Sequence, residues 1–376
     1  MDRSTGQMEK LAAEVAAAAG PHADRHDIDG TFVTEGVTAA RDLGYLAAPV
    51  PGPLGGGDAL TAEVAAAQRV VARACGSTAL ASAMHLHVAL AAAWRWRRGD
   101  TVVEPMLRKV GNDHLVVAST GGADWTHPTT VATPVDGGWR VSGRKTFASL
   151  SPVAGVAATF AVVGEAAPGN EVIVFGCPLS APGVSLEETW DAAGMRGTGS
   201  HDVVLDDVFV AEGQITGRRT WGELDKPLLL ASLFAWPVIY ATYLGVAESL
   251  ASAAIAQACR KPAGADVTAT QDRLIGLLDA HLRTADWALT GVLAELGDDP
   301  DPTHDNYVRL QQMKRVVTLA CQEVALIAAQ LAGGSAYARR GPIDRMTRDL
   351  RAALYHPDAP ETTLVVAGRA RRAAHA

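Results

Sequence analysis

Histidine is the side chain here best suited to acid–base chemistry, because its pKa lies near neutrality and its ring can donate or accept a proton. His356 stands directly before Pro357, near the C-terminus. It is a candidate for acid–base chemistry, and the alternative is a structural histidine that caps a helix. His85 and His87 lie two residues apart in a predicted helix, where such residues do not share a face. We therefore predict that one of this pair, with His85 preferred, lines a cavity, and that the two do not share a metal ion.

Metal and redox-cysteine chemistry are not indicated. His22 and His26 are four residues apart but have no evident third ligand, so surface positions are expected for both. The four cysteines are far apart and form no CxxC pair, which predicts reduced thiols and no zinc site: Cys75, Cys177, Cys259 and Cys321. We predict no metal in this protein.

Composition and charge exclude several classes of function. Hydrophobic residues make up 48% and charged residues 20% of the 376, as in ordinary globular proteins. The net charge of −8 argues against nucleic-acid binding, which needs a basic face. We expect no apolar run as long as the ~20 residues of a membrane span. The N-terminal residues carry acids and no apolar core of a signal peptide, so a cytoplasmic protein is expected.

The elements that must position the histidines fall into three regions. Residues 1–112 read as helical, residues 113–220 as short strands, and residues 221–376 as helical again. This order predicts an α+β fold that is mostly α. It has an N-terminal α-helical domain, a middle antiparallel β domain and a C-terminal helical bundle.

The helices are marked by apolar spacing and by glycine. In the third region, apolar residues alternate at spacings of three and four, which predicts the seam of a bundle helix: Leu310, Met313, Val317, Ala320, Val324, Ile327 and Leu331. Gly333 and Gly334 are typical of its C-terminal end. Further helices are predicted over 58–74, 77–96, 226–259 despite Pro237, and 268–296.

The β region contains two glycine-bearing motifs, Ser142–Phe147 and Gly194–Ser200, about fifty residues apart. Short β-branched or aromatic runs surround them. Asp136, Gly137 and Gly138 predict a hairpin turn, because glycine accepts positive φ.

The motifs and the order of the regions resemble the acyl-CoA dehydrogenase superfamily along nearly the whole chain. The similarity is greatest at Gly194–Ser200 followed by a β-branched strand, where it is closest to the flavin-dependent monooxygenases of that fold. The resemblance implies the acyl-CoA dehydrogenase fold with a C-terminal four-helix bundle. It also implies a flavin, either FAD or FMN, held against the middle domain.

Several flavin contacts follow from the resemblance. Ser119 and Thr120 occupy the loop that bonds the polar edge of the ring system, although a plain turn would contain the same residues. Phe147 stands at the aromatic position that packs on the ring, and Ser149 where a hydroxyl commonly bonds the flavin. The alternative for this segment is a β-hairpin with a core phenylalanine.

The C-terminal region resembles the part of the family that contacts a flavin bound mainly by another subunit. Gln330, Gly333 and Gly334 match a Gln-x-x-Gly-Gly turn, which a structural helix cap alone would also explain. Arg260 matches a phosphate-binding arginine, but the residues that should follow it are replaced by Lys261–Ala263. This departure leaves FMN as well as FAD open, and the match implies a homo-oligomer, a dimer or a tetramer.

The base of a dehydrogenase is missing. Such enzymes need a carboxylate within reach of the substrate proton. Counting from Arg348-Asp349 puts Pro357 at one family position, and the second position falls on Ala235. Only a shift of register could bring Glu361 to the site, and the first turn of a helix suits this residue better.

In several monooxygenases of this fold, a histidine stands where this sequence has His356. The resemblance implies that this residue assists the reaction of reduced flavin with dioxygen, or moves a substrate proton. The sequence has no GxGxxG after a strand, so we expect a separate flavin reductase. The favoured prediction is therefore a monooxygenase of a small organic substrate. The alternatives are an acyl-thioester dehydrogenase with a displaced base and a catalytically silent flavoprotein subunit.

Overall fold

Helices form the first part of the chain. A computed structural model describes residues 6–122, 124–260, 265–339 and 341–375. Glycine and proline separate the early helices, because neither residue continues a helix well. The helices are α1 Gly6–Ala19, α2 Ala23–Asp29, α3 Thr34–Asp42, α4 Thr61–Ala74, α5 Gly76–Arg97 and α6 Glu104–Asp113.

The strands that follow form one sheet with the order β6-β7-β3-β2-β4-β5-β8, and β1 pairs with β4. The predicted hairpin is β2–β3, and Gly137 turns it with a φ of 75°. The strands are β1 Val117–Ser119, β2 Val131–Val135, β3 Gly138–Ala148, β4 Val156–Val163, β5 Glu171–Pro178, β6 Val184–Glu187, β7 His201–Ala211 and β8 Ile215–Thr220.

The prediction of purely antiparallel pairing was wrong at β4. Both β1 and β2 run parallel to this strand, at successive positions along the same edge. The loop that begins at Thr120 connects β1 to β2. The two strands therefore lie one after the other along the same edge of β4 and run in the same direction. The remaining pairs are antiparallel.

The C-terminal part is a helical bundle. Three helices are long and two are shorter: α7 Lys226–Cys259, α8 Ala265–Leu296, α9 His304–Ala332, α10 Pro342–Arg351 and α11 Pro360–Ala373. The predicted apolar seam of α9 is buried, and the helix ends at Gly333, which has a φ of 63°. α7 contains Pro237 without ending there, as expected.

α7 corrects the expectation about apolar runs. Residues 227–247 carry no charge, and Lys226–Cys259 and His304–Tyr337 are both long and apolar enough to span a membrane by length and composition. However, 89% of the apolar window of α7, and 56% of the second window, is buried inside the protein. α7 is apolar because it is packed on all sides, against α4 and α5 on one side and α9 on the other.

Two charged side chains of α10 join the three regions. The guanidinium of Arg348 binds both carboxylate oxygens of Asp27, at 2.9 and 2.5 Å. Asp349 is 1% exposed and accepts a hydrogen bond of 2.5 Å from the backbone N–H of Met195, in the glycine-rich turn before β7. Burial raises the pKa of Asp349 to about 6. α10 is thus fastened to the N-terminal helices and to the sheet just before the chain reaches His356.

Candidate active site

His356 lies between α10 and α11, in a segment of residues 353–361 that side chains of α7 and α9 hold. The hydroxyl of Tyr243, on α7, is 2.5 Å from Nε2 of His356. One helical turn earlier, the hydroxyl of Tyr240 donates to the carbonyl oxygen of Ala353 at 3.1 Å. Tyr307, on α9, donates to a carboxylate oxygen of Asp358 at 2.6 Å. We refer to residues 353–361 as the His356 segment.

The contact with Tyr243 bears on which nitrogen of the His356 imidazole carries the proton. Burial raises the pKa of Tyr243 well above its usual value, and burial together with the charge of Lys314 lowers the pKa of His356 to about 3. Both groups are therefore neutral at physiological pH. Within the described residues the Tyr243 hydroxyl has no other hydrogen-bond acceptor, so we infer that it donates to Nε2 and that the ring carries its proton on Nδ1. His356 is then a hydrogen-bond donor and a very weak base.

Lys314, on α9, also contacts the His356 segment. Its side chain is only 2% exposed, and its ammonium donates to the carbonyl oxygens of His356 at 3.2 Å and Asp358 at 2.7 Å. Burial lowers the pKa of Lys314 to about 7, although the charge of Asp358 acts in the opposite direction. The ammonium also lies 4.5 Å from the centre of the Trp236 ring.

A row of aromatic rings connects this segment to the β region. Trp236, on α7, packs edge-on against Trp125 with ring centres 6.0 Å apart, and Trp125 also contacts Tyr307 at 6.3 Å. Trp125 belongs to the loop that follows Ser119 and Thr120. The loop predicted to bond the polar edge of a flavin is therefore joined by ring contacts to the helices that hold His356.

Phe147 has the features expected of a ring-binding aromatic. Its side chain is 56% exposed, and its φ of 61° is a left-handed conformation that bulky residues rarely adopt. The pairing of β3 with β7 shifts register between Lys145 and Ala148, so a bulge presents this residue. The alternative of a core phenylalanine was wrong. Trp190 stands edge-on to the exposed ring at 6.0 Å.

The hydroxyl groups predicted to contact the flavin lie on the sheet. Ser149 is bonded to Ser200 at 2.7 Å, and Ser200 to Thr198 at the same distance. Thr120 donates to the carbonyl oxygen of Ala158 at 3.1 Å, which leaves its oxygen free to accept. Ser119 is half-buried at the end of β1. Exposed Phe147 and these hydroxyl groups fit a planar apolar ring with a polar edge.

The prediction for His85 was wrong. This residue is fully buried, its Nδ1 accepts from the backbone N–H of Val117 at 2.9 Å, and its Nε2 lies 3.1 Å from the carbonyl oxygen of Leu46. Both nitrogens are used, and burial lowers its pKa to about 4. His85 therefore ties α5 to β1. His87 is 9% exposed, and no hydrogen bond engages its ring within the described residues, so it is the better candidate of the pair.

The residues predicted to contact a partner's flavin lie away from His356. Gln330, Gly333 and Gly334 are exposed at the C-terminal end of α9, and at 1.5 Å per residue Gln330 lies about 24 Å along the helix from Lys314. Arg260 is exposed at the end of α7, and Lys261–Ala263 lie outside the described residues. One chain therefore does not bring these residues together with His356.

None of the residues considered as the base of a dehydrogenase offers a free carboxylate beside His356 in the described part of the chain. Glu361 is 82% exposed in the first turn of α11 and pairs with Arg315 at 2.9 Å, so no shift of register brings it to the site. Pro357 and Ala235 carry no acid. Asp358 is the carboxylate nearest to His356 in sequence, and Tyr307 binds it.

Sequence reasoning missed Tyr243, Lys314 and Trp190. A signal for Tyr243 was present: Trp236, Tyr240 and Tyr243 follow helical spacing in a predicted helix and so share one face. The sequence gives no signal for Lys314, because a charged residue beside an apolar seam normally faces solvent. We find no signal for Trp190 either.

Comparison with known proteins gives a consistent family. Residues 5–99, 118–208 and 238–359 match the N-terminal, middle and C-terminal domains of acyl-CoA dehydrogenase. The putative acyl-CoA dehydrogenase YdbM of Bacillus subtilis is 30% identical over 96% of this chain and 96% of its own. The amino sugar nitrososynthase RubN8 of Streptomyces rubradiris is also 30% identical, over 87% of this chain and 80% of its own.

Solved structures show the same fold. KijD3 in complex with FMN and dTDP-3-amino-2,3,6-trideoxy-4-keto-3-methyl-D-glucose matches with a TM-score of 0.89 and 27% identity, over 99% of this chain and 95% of that one. FMN-bound TdsC from Paenibacillus sp. A11-2 has a TM-score of 0.84 over 96% of both chains. At 20% identity this second likeness concerns the fold alone.

Proposed function

Because the chain belongs to the acyl-CoA dehydrogenase superfamily, we propose that it is a flavin-dependent monooxygenase that uses reduced FMN and dioxygen on a small organic substrate. FMN is favoured because KijD3, at 27% identity, is described with this cofactor. A separate reductase supplies the reduced flavin, and the enzyme works in the cytoplasm.

The proposal is supported by the neutral imidazole of His356, next to Pro357, which stands at the position where a dehydrogenase of this family has its carboxylate. Tyr243 donates to Nε2, so the ring presents an Nδ1–H donor. With a pKa of about 3, the ring is too weak a base to remove the α-proton of a thioester at neutral pH. It is well suited to donate a hydrogen bond to an oxygen atom that carries negative charge.

The remaining residues would hold the cofactor and the substrate. When bound, reduced flavin supplies the electrons that activate dioxygen. Phe147 and Trp190 offer an apolar surface, and Ser119, Thr120 and Ser149 offer hydroxyl groups for the polar edge. The packed rings of Trp125 and Trp236 would limit the access of water between the sheet and the helices.

We also propose that the protein is a homo-oligomer. An apolar stripe of α9 is exposed, with Val316 at 37%, Leu319 at 41% and Leu326 at 60%, and Trp287 of α8 is 68% exposed. A second copy would cover such a surface. This arrangement would give the exposed Arg260, Gln330, Gly333 and Gly334 a role at the flavin of the partner.

The test uses FMN-loaded protein reduced without oxygen and then mixed with oxygenated buffer in a stopped-flow instrument. A monooxygenase is expected to return to the oxidised absorbance in two phases, and His356→Ala to bind FMN but lose the slow phase. Glu361→Gln is the control, since its carboxylate pairs with Arg315 on the surface, and it should behave as wild type.

The opposite outcome would identify a dehydrogenase. Anaerobic bleaching of the oxidised protein by butyryl-CoA or octanoyl-CoA, abolished in Asp358→Asn, would overturn the proposal and make Asp358 the base. Single-phase reoxidation without bleaching would point to a catalytically silent flavoprotein instead.

A further inference from the structure

α9 carries a buried polar face beside its apolar seam. Tyr307, Gln311, Lys314 and Thr318 follow one another at spacings of four, three and four, so they lie on one side of the helix. Their exposures are 3, 0, 2 and 0%. Such positions in a bundle normally hold apolar residues, since a buried polar group costs free energy unless it is bonded. A reason for this face is therefore needed.

Lys314 is the most costly residue of this face and the one with the clearest partners. No carboxylate forms an ion pair with its ammonium anywhere in the described part of the chain. Its two hydrogen bonds go to the carbonyl oxygens of His356 and Asp358. A buried cation that binds peptide carbonyls instead of a carboxylate holds the backbone in place more than it stabilises a charge pair.

The His356 segment needs such support. His356 lies between the end of α10 at Arg351 and the start of α11 at Pro360, outside both helices. Pro357, directly after His356, has no N–H and cannot continue a helix from α10. Regular secondary structure therefore does not determine where the imidazole lies.

We propose that Lys314 is the positioning residue of this site. Its hydrogen bonds to the carbonyl oxygens of His356 and Asp358 place the imidazole within hydrogen-bond distance of the Tyr243 hydroxyl. The inference rests on the function proposed above, in which His356 donates a hydrogen bond. Lys314 acts through His356 and is not itself a catalytic residue. Its charge has a second effect, since a cation beside the ring disfavours imidazolium.

The experiment reads the position of the imidazole proton in flavin-free protein. Wild type and Lys314→Met are labelled with [15N]histidine, and NMR at pH 7 reports which ring nitrogen is protonated; the signal of His356 is assigned by its loss in His356→Asn. Arg315→Met is the matched control. This neighbouring cation of α9 binds the carbonyl of Pro360 at 2.7 Å and does not contact His356.

Wild type and Arg315→Met are expected to show the proton on Nδ1, and Lys314→Met a mixture of both tautomers. In FMN-loaded protein, turnover of Lys314→Met should fall by roughly ten- to a hundredfold, as for a misplaced catalytic group, with the Kd for FMN unchanged. An unchanged His356 spectrum in Lys314→Met would overturn the inference. If Lys314→Met does not fold, Lys314→Gln, whose amide retains a donor, should give an intermediate mixture, and a wild-type spectrum would again overturn it.

The two proposals fail separately. The NMR result does not involve flavin, so it tests the positioning role whatever reaction the enzyme catalyses. Absence of oxygenation in wild type would remove the proposed function and leave the tautomer of His356 unaffected.

Discussion

Replacing Lys314 by methionine should change how the stability of the protein depends on pH. Burial lowers the pKa of this lysine from 10.5 to about 7, so the unfolded chain binds a proton that the folded chain lacks between these values. The free energy of unfolding therefore rises with pH across this window. The stability that the protein gains in this way is lost again as pH falls to 7. Lys314→Met removes it, because methionine does not titrate.

The size of the effect follows from the same values. One pH unit of pKa difference corresponds to about 1.36 kcal/mol, so burial of the charged lysine costs about 5 kcal/mol in all. Integrated only from pH 7 to pH 9, the wild-type protein gains about 2 kcal/mol relative to the variant. Among the residues that the structure describes, ionisable groups near Lys314 include Asp358 and His356 on the C-terminal segment and Tyr240 on α7. The pKa of His356 lies well below this window and that of Tyr240 well above it.

The assay is urea unfolding of flavin-free protein at one protein concentration, repeated between pH 7 and pH 9. The unfolding free energies of wild type and Lys314→Met should diverge by about 2 kcal/mol over this range. Arg315→Met should run parallel to wild type, because arginine keeps its charge throughout. Parallel curves for wild type and Lys314→Met would refute the reasoning that the folded protein weakens the binding of this proton.

Three further predictions concern other parts of the molecule. Tyr243→Phe removes the donor to His356 and should lower oxygenation by about tenfold or more without changing the affinity for FMN; equal turnover would contradict the role of the hydroxyl. The pKa values of buried His85 and His87 are both about 4, so their contribution to stability is full above pH 6.5 and falls as pH approaches 4. The loss between pH 6.5 and pH 4 should be smaller in His87→Gln than in wild type, and equal losses of unfolding free energy in the two proteins would contradict it. Leu326→Glu should reduce the mass measured by light scattering after size-exclusion chromatography, and an unchanged mass would exclude this face as an interface.

The sequence predicted helices and turns well where residues close together in the chain determine the structure. The alternating spacing from Leu310 to Leu331 gave α9 and its glycine end, because burial of an apolar stripe depends only on helical period. Gly137 gave the β2–β3 hairpin for a similar local reason. No individual strand was predicted at Ile215–Thr220, which forms the edge strand β8, since this stretch is mostly polar and its partner β5 is distant in sequence.

The candidate site was predicted only in part, because its chemistry depends on contacts between distant elements. His85 was chosen for its type, and nothing in the sequence shows that backbone groups of Leu46 and Val117 occupy both of its nitrogens. The importance of His356 came from a resemblance to known enzymes. Its protonation state, however, depends on Tyr243, more than a hundred residues earlier in the chain.

The cost of burying Lys314 is itself an argument about the site. Because its pKa is lowered from 10.5 to about 7, the folded protein holds the charged form of Lys314 less favourably than the unfolded chain does, by about 5 kcal/mol. This penalty is large compared with the net free energy of unfolding of folded proteins, which is typically about 5–15 kcal/mol. Both hydrogen bonds of the ammonium reach the segment that carries His356, and the neighbouring Tyr240, Tyr243 and Tyr307 bind the same segment. Four buried side chains of two helices thus bond one short segment, as the proposed positioning of the His356 imidazole requires.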